Sequence, residues 1–334
     1  MEPSTHPRAA GDALHVPVLL EECIELLEPS LETEHPIMID GTLGMGGHSE
    51  AFLQRFEHLT VIGIDRDPEA IELASERLAK FGSRFQAVQA TYDQIDSVAK
   101  ELGHQGAGLG TVDAVLMDLG VSSLQLDERE RGFSYSHDAP LDMRMDTESG
   151  QTAAEILATA DVREITRILS HYGEERFASR IARRIVDARE TTPITRTTQL
   201  ADLVKASIPA ATRRTGGNPA KRTFQALRIA VNDELAVLER AIPRAISSIR
   251  VGGRIAVESY HSLEDKIVKR EFAAGATSTT PPGLPVELPG HEPYLRLLTR
   301  GAMKADSGEA SKNSRSASVR LRAAERLREG GTSS

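Results

Sequence analysis

Short apolar runs alternate with helical stripes through the first third of the chain. "IMID", "LTVIGID", "FQAVQA" and "VDAVLMDLG" are dense in aliphatic and β-branched residues and predict buried strands. Between them, "HSEAFLQRF", "DPEAIELASERLAKF" and "YDQIDSVAKEL" place apolar residues at helical spacing, with Pro68 near the first turn of the second. Ahead of the first strand, Leu19, Leu20, Cys23, Ile24 and Leu27 share one stripe of a helix predicted to end at Pro29. This rhythm predicts an α/β fold whose parallel sheet is covered on both faces.

After Ser123 the rhythm changes. "QLDERERGFSYSHDAPLDMRMD" reads as an ordered polar loop, and Thr152 to about Ala206 is almost entirely helical, with Ile165, Ile168, Leu169, Phe177, Ile181, Ile185 and Val186 forming a stripe. The strand–helix pattern then resumes. "RTFQALRIAVNDELAVLERAIPRAISSI" predicts one long helix, "GGRIAVESY" a strand, and "SLEDKIVKREFA" a helix whose start carries Ser262 and Asp265 at capping-box spacing. A strand pair is predicted at "YLRLLTRG" and "SASVRLRAAER". The organisation is a core (1–126, with 1–12 a loose tail), a mainly helical insertion (127–222), and the second part of the core with a basic C-terminal segment (223–334).

Composition narrows the classes. The chain has 334 residues, 40% of them hydrophobic, so one large domain or two ordinary ones can be cored. A net charge of −9 argues against a polycation but is silent about local patches. Cys23 is the only cysteine, which excludes an internal disulfide and a cysteine-cluster zinc site, and no metal centre is predicted. No apolar run approaches the roughly 20 residues of a membrane span, so no membrane partner is expected. Without a signal-peptide pattern, the simple expectation is a cytoplasmic protein.

The chemistry concentrates at "MIDGTLGMGGHSEAFL". Gly44, Gly46 and Gly47 follow the first strand, where open α/β sheets bind ligands and where bare backbone permits a nucleoside to approach. An ordinary strand–helix turn explains the glycines alone equally well. Asp65 ends the second strand roughly 20 residues on, where a carboxylate accepts ribose hydroxyls. Asp67, before Pro68, suits helix capping and leaves Asp65 free for that role. A dinucleotide and S-adenosylmethionine both fit. Acidic Asp40 before the glycines is an awkward neighbour for pyrophosphate and a natural one for an ammonium and a sulfonium. Tyr92 ends the third strand, positioned to lie against adenine or simply to cover the core rim. Asp118 ends the fourth and is followed by Ser122 and Ser123 in a tight polar loop.

Several blocks together resemble the bacterial 16S ribosomal RNA (cytosine-N4)-methyltransferases. They are "HVPVLLEE", "DGTLGMGGHS", "GIDRDPEAI", "DLGVSSLQLDERERGFSYSHDAPLDMRMD", "NPAKRTFQALRIAVNDEL", "GGRIAVESYHSLEDKIVK" and "NSRSASVRLRAAER", running from His15 to about Arg326. The resemblance implies a class I S-adenosylmethionine-dependent methyltransferase, Rossmann-like with a mostly parallel sheet and an inserted helical domain. It implies methylation at N4 of a decoding-centre cytidine, position 1402, of 16S rRNA in the small ribosomal subunit. Carried onto matching positions, it makes Gly46, Gly47, His48, Asp65, Tyr92, Asp118 and Gln125 the S-adenosylmethionine contacts. Family members can carry phenylalanine where Tyr92 stands.

For catalysis, Asp118 with the Ser122–Ser123 turn is the candidate acceptor for the amine's hydrogens; a role in cofactor binding alone is the alternative. Phe133, Tyr135 and Arg144 form a candidate base pocket, although each aromatic suits loop packing equally. His261 follows the fifth strand and serves either the substrate or the start of the next helix. Arg213, Arg214, Lys221, Arg222, Arg315 and Arg320 lie in two basic segments suited to phosphates. Arg180, Arg183 and Arg184 lie on the insertion, where a solvated face is the ordinary explanation. Two other classes compete: a dinucleotide-dependent oxidoreductase, opposed by Asp40 and the imperfect glycine spacing, and a noncatalytic RNA-binding assembly factor, opposed by the intact Asp65, Asp118 and Gln125.

Overall fold

The computed structural model describes residues 17–105, 110–121, 125, 129–209, 218–284, 286–306, 308 and 316–329. The predicted strands assemble into one seven-stranded sheet of order β3-β2-β1-β4-β5-β7-β6. The strands are β1 (Ile37–Asp40), β2 (Thr60–Asp65), β3 (Phe85–Gln89), β4 (Val112–Asp118), β5 (Ile249–Ser259), β6 (Leu295–Leu297) and β7 (Arg320–Arg326). β1 to β5 pair in parallel, and β7 is antiparallel to both β5 and β6. The central strands are buried along nearly their whole length, which is why they read as continuous apolar runs rather than alternating ones.

Two apolar clusters cover the sheet. One face carries α1 (Leu20–Leu31), α2 (Gly47–Arg55) and α3 (Pro68–Leu78), contributing Cys23, Leu27, Phe52 and Leu78. The other carries α4 (Ile95–Leu102), Leu238, Ile242 and Ile246 of a helix over 234–248, and Val268 and Phe272 of a helix over 262–275. With both faces sealed, the polar strand ends at the carboxyl edge are where a ligand can approach the sheet.

A third cluster gathers residues from Leu141 to Leu227 around α5 (Ala153–Thr159), α6 (Val162–His171), α7 (Ala178–Arg189), α8 (Thr197–Ser207) and α9 (Lys221–Asn232). The long helix predicted from Arg222 breaks at Asp233, whose backbone is left-handed at φ 52°, and resumes as α10 (Glu234–Ser248). The break lets Glu234 grip Arg228 with two bonds of 2.9 Å; six residues apart, the pair would not share a face of an unbroken helix. Pro29 also does not end α1 but lies in its last turn, which continues to Leu31. Ser262 is not the cap of α11 (Ser262–Gly275): His261 caps it, and Glu264 closes the capping box. No helix among the described residues is long and apolar enough to cross a membrane.

Candidate active site at the carboxyl edge of the sheet

The strands β1, β2, β4 and β5 end in Asp40, Asp65, Asp118 and the pair Glu258–Ser259, so the parallel register brings four carboxylates to one edge. Asp118 and Glu258 are register partners on adjacent strands. The glycine loop folds over this row. Gly46, at φ 75°, is the left-handed N-cap of α2, and a side chain there would press on Leu78 of α3 at 3.0 Å. The turn carries His48 and Ser49 into the interior.

Asp40 is 2% exposed, accepting from Ser49 Oγ at 2.7 Å and from the Thr42 amide at 3.2 Å. Burial raises its pKa despite the opposing Ser49 hydrogen bond and the nearby His48. Asp65 accepts one amide on each oxygen, from Gly44 at 2.8 Å and Asp67 at 3.0 Å. Each oxygen keeps a lone pair, the arrangement a ribose diol requires. Burial pushes the Asp65 pKa up to about 6. Asp67 is the cap of α3, accepting from the Glu69 amide at 3.2 Å, as its place before Pro68 predicts.

Asp118 is held from two sides. Its amide donates to Thr42 Oγ1 at 2.6 Å, and its Oδ1 accepts from the Tyr260 hydroxyl at 2.7 Å. Burial and the charges of Asp118 and Glu258 keep the Tyr260 phenol protonated, well above its ordinary pKa, so it remains a donor. His48 lies between two carboxylates, Nδ1 being 3.7 Å from Asp118 Oδ2 and Nε2 being 3.7 Å from Glu258 Oε2. Its Nε2 also faces the Val18 carbonyl at 3.3 Å. Cys23, His48 and Glu258 come from α1, α2 and β5, yet their polar atoms lie within 4.8 Å of one another. Burial, followed by the charges of Glu258 and Asp118, raises the Cys23 pKa and keeps it a thiol. No sequence spacing brings these three together; only the fold does.

On the other side of the strand ends, Tyr92 opens a 3-10 turn after β3 and its hydroxyl reaches the Glu234 carbonyl at 3.4 Å. A recess of about 40 Å³, lined by residues that include Thr42, Arg66, Tyr92, Gly120 and Glu264, lies beside it. Gln125 is 4% exposed and donates to Asp67 at 3.3 Å, so it meets the edge through the α3 cap. Arg131 does the same: its guanidinium binds Asp67 at 2.5 Å and the Met145 carbonyl at 2.7 Å. Asn232 completes the brace, donating to the Met143 carbonyl and accepting from the Met145 amide, both at 2.8 Å. Arg131 and Asn232 escape sequence reading because their partners are distant in the chain.

The remaining candidates divide. Phe133 is buried, and Tyr135 packs edge-to-face on Phe224 at 5.7 Å, so both rings pack the loop in this structure. Arg144 is held by Asp142 through two bonds of 2.9 Å. His261 accepts from the Glu264 amide and stands 3.1 Å from the Glu264 carboxylate, serving the start of α11. Burial opposes ionisation of Glu264, but His261, Arg228 and the Tyr260 amide together hold its pKa below the ordinary value. Lys221 and Arg222 are exposed at the start of α9, and Arg320 is 3.5 Å from Asp265. Ser122, Ser123, Arg213, Arg214 and Arg315 lie outside the described residues.

Among the described residues, no lysine or arginine pairs with Asp40 or Asp118. The edge is therefore an acidic, partly dry cradle, complementary to a cation that also carries a ribose. S-adenosylmethionine meets both conditions. The fold and this edge define a class I S-adenosylmethionine-dependent methyltransferase. The MraW methylase family model matches residues 12–327, and the chain belongs to that family. It is 59% identical to the ribosomal RNA small subunit methyltransferase H of Beutenbergia cavernae over 322 residues, covering 96% of this chain and 95% of that one. It is 56% identical to the protein of the same name in Mycolicibacterium smegmatis over 318 residues, covering 94% and 84%.

Proposed function

We propose that the protein methylates N4 of a decoding-centre cytidine in the 16S rRNA of the small ribosomal subunit. The substrate rests on relatives named as small-subunit rRNA methyltransferases and on the sequence resemblance to cytosine-N4 enzymes. The bound cofactor supplies a methyl group already activated by a sulfonium. The protein's remaining work is alignment and disposal of a proton.

The observation that carries the reading is Asp118, a braced carboxylate at the strand end that is 29% exposed beside the buried Asp40 and Glu258. The cytosine amino group conjugates with its ring, so its lone pair is a weak nucleophile. Asp118 accepts a hydrogen from that nitrogen, raising electron density on it as the nitrogen–carbon bond forms and the carbon–sulfur bond breaks. The departing electron pair stays on sulfur, and the nitrogen's surplus proton passes to Asp118. Ser122 and Ser123 flank this acceptor in sequence, and Gly46, Gly47, His48, Asp65, Tyr92 and Gln125 serve the cofactor. Lys221, Arg222, Arg213, Arg214, Arg315 and Arg320 serve RNA phosphates.

The test is single-turnover methyl transfer to small subunits at saturating cofactor. Wild-type protein labels the rRNA, and Asp118→Asn slows the step by about 10²–10³-fold, the range for losing one preorganised transition-state group. Cofactor affinity changes only a few-fold. An unlabelled rRNA overturns the substrate, and an unchanged rate in Asp118→Asn overturns the acceptor role.

A further inference from the structure

We infer that the exposed face of α7, together with the turn leading into it, is a phosphate-binding track that holds the rRNA backbone against the mouth of the active site. The inference rests on the rRNA substrate proposed above and names the surface that recognises it.

Many arginines among the described residues are already engaged. Arg131, Arg144, Arg196, Arg228, Arg240, Arg250 and Arg322 each pair with a carboxylate. Helix α7 is different. It buries Ala178, Ile181, Ala182 and Ile185 against the insertion core, which turns Arg180, Arg183 and Arg184 to solvent. Among the described residues none of these three has a carboxylate within ion-pair distance. Arg176, exposed in the preceding turn, lies over the Phe177 ring at 5.9 Å and extends the row. Four like charges crowded on one short surface repel one another, and their guanidinium forks suit phosphate oxygens.

The row begins at the active site. Ser262, two residues beyond the Tyr260 that holds Asp118, donates to the Glu174 carboxylate at 3.0 Å. Arg222 donates to the Glu174 carbonyl at 3.2 Å. Gly173 permits that meeting, since a side chain there would stand 2.6 Å from the Arg222 carbonyl oxygen. The starts of α7, α9 and α11 thus converge on Glu174, and the arginines lead away from that point for about 12 Å at the helical rise. A strand of RNA whose target base enters the acidic edge has its neighbouring phosphates on this row. A solvated face with no ligand would have no reason to start at the site's rim.

The test is binding of small subunits across a salt series by R180E/R183E/R184E, with R180K/R183K/R184K as the charge-preserving variant. R55E/K80E/K100E, on α2, α4 and the turn after α3, controls for net charge. Losing three phosphate contacts should make the slope of log K against log salt shallower by about 2. The KM for subunits should rise at least about 10-fold, while single-turnover rate at saturating subunits and cofactor affinity stay within about twofold. The lysine variant should retain most of the slope. R180E alone, expected to lower the slope by about 0.7, serves if the triple variant fails to fold. An unchanged slope and KM in the glutamate variants, or an equal loss in the control, overturns the track. Wild-type protein that binds no small subunits overturns the substrate reading beneath it, and the track with it.

Discussion

The carboxyl edge of the sheet and the exposed face of α7 are charged in opposite ways, and each lacks the partner it would normally have. At the edge, Asp40 and Asp118 gather without a lysine or arginine among the described residues. On α7, Arg180, Arg183 and Arg184 are exposed and none forms an ion pair among the described residues, Asp187 of the same helix included. Elsewhere the surface is laced with ion pairs, such as Arg196 on Asp138 and Arg167 on Glu164. Unneutralised charge costs stability through repulsion and, where buried, through desolvation. A fold keeps it where a ligand supplies the missing sign. The net charge of −9 conceals both regions, because it averages an acidic edge with a basic face.

Arg131 ties the polar loop to the Asp67 cap, and Arg131→Ala leaves a carboxylate that is 2% exposed with weaker partners. It should cost about 3 kcal/mol of stability, read as a lowered denaturant midpoint, with cofactor binding falling alongside. Arg131→Lys, which restores the charge without the fork, should recover part of the loss.

Asp65 sharpens the acidic side. Asp65→Asn should weaken S-adenosylmethionine binding by about 10–100-fold, the worth of one or two charge-assisted hydrogen bonds, and leave subunit affinity unchanged. Calorimetric titration with each ligand checks it; equal losses for both would erase the distinction between the regions.

A pH effect follows from the same residue. The Asp65 pKa is raised to about 6, so the carboxylate protonates as pH falls through that value and loses acceptor capacity. Cofactor affinity should therefore decline below about pH 6 and be maximal above it, with the Asp65 contribution to that decline absent in Asp65→Asn. For the apo fold the sign is opposite: a carboxyl whose folded pKa lies above 3.8 loses stability as pH rises between the two values. The smallest effect is expected at Tyr260. Tyr260→Phe removes one bond to Asp118 and should slow single-turnover transfer by about 3–10-fold without changing the salt slope.

Much of the fold was readable because buried parallel strands and amphipathic helices write their periods directly into the chain. Asp67 as a cap was likewise readable from one proline; the amides of Gly44 and Asp67 that hold Asp65 were not. The break at Asp233 was not, since the apolar stripe runs through it and the bonds of the adjoining Asn232 reach the distant Met143 and Met145. The shift of the α11 cap from Ser262 to His261 is a one-residue ambiguity that a capping pattern cannot resolve. The cluster of Cys23, His48 and Glu258 joins three elements, and nothing local announces it. Arg180, Arg183 and Arg184 were visible as a charge run, but only their lack of an ion pair among the described residues, a fact of three dimensions, separates them from the paired arginines.

The decisive event is the proposed methyl transfer to the exocyclic nitrogen of a cytidine beside Asp118. Small subunits lacking the modification are incubated with wild-type protein and isotopically labelled S-adenosylmethionine, and the rRNA is digested and analysed by mass spectrometry against nucleoside standards. Label in N4-methylcytidine at a decoding-centre fragment is the predicted result. Label in 5-methylcytidine, in another base or in a ribose would contradict it.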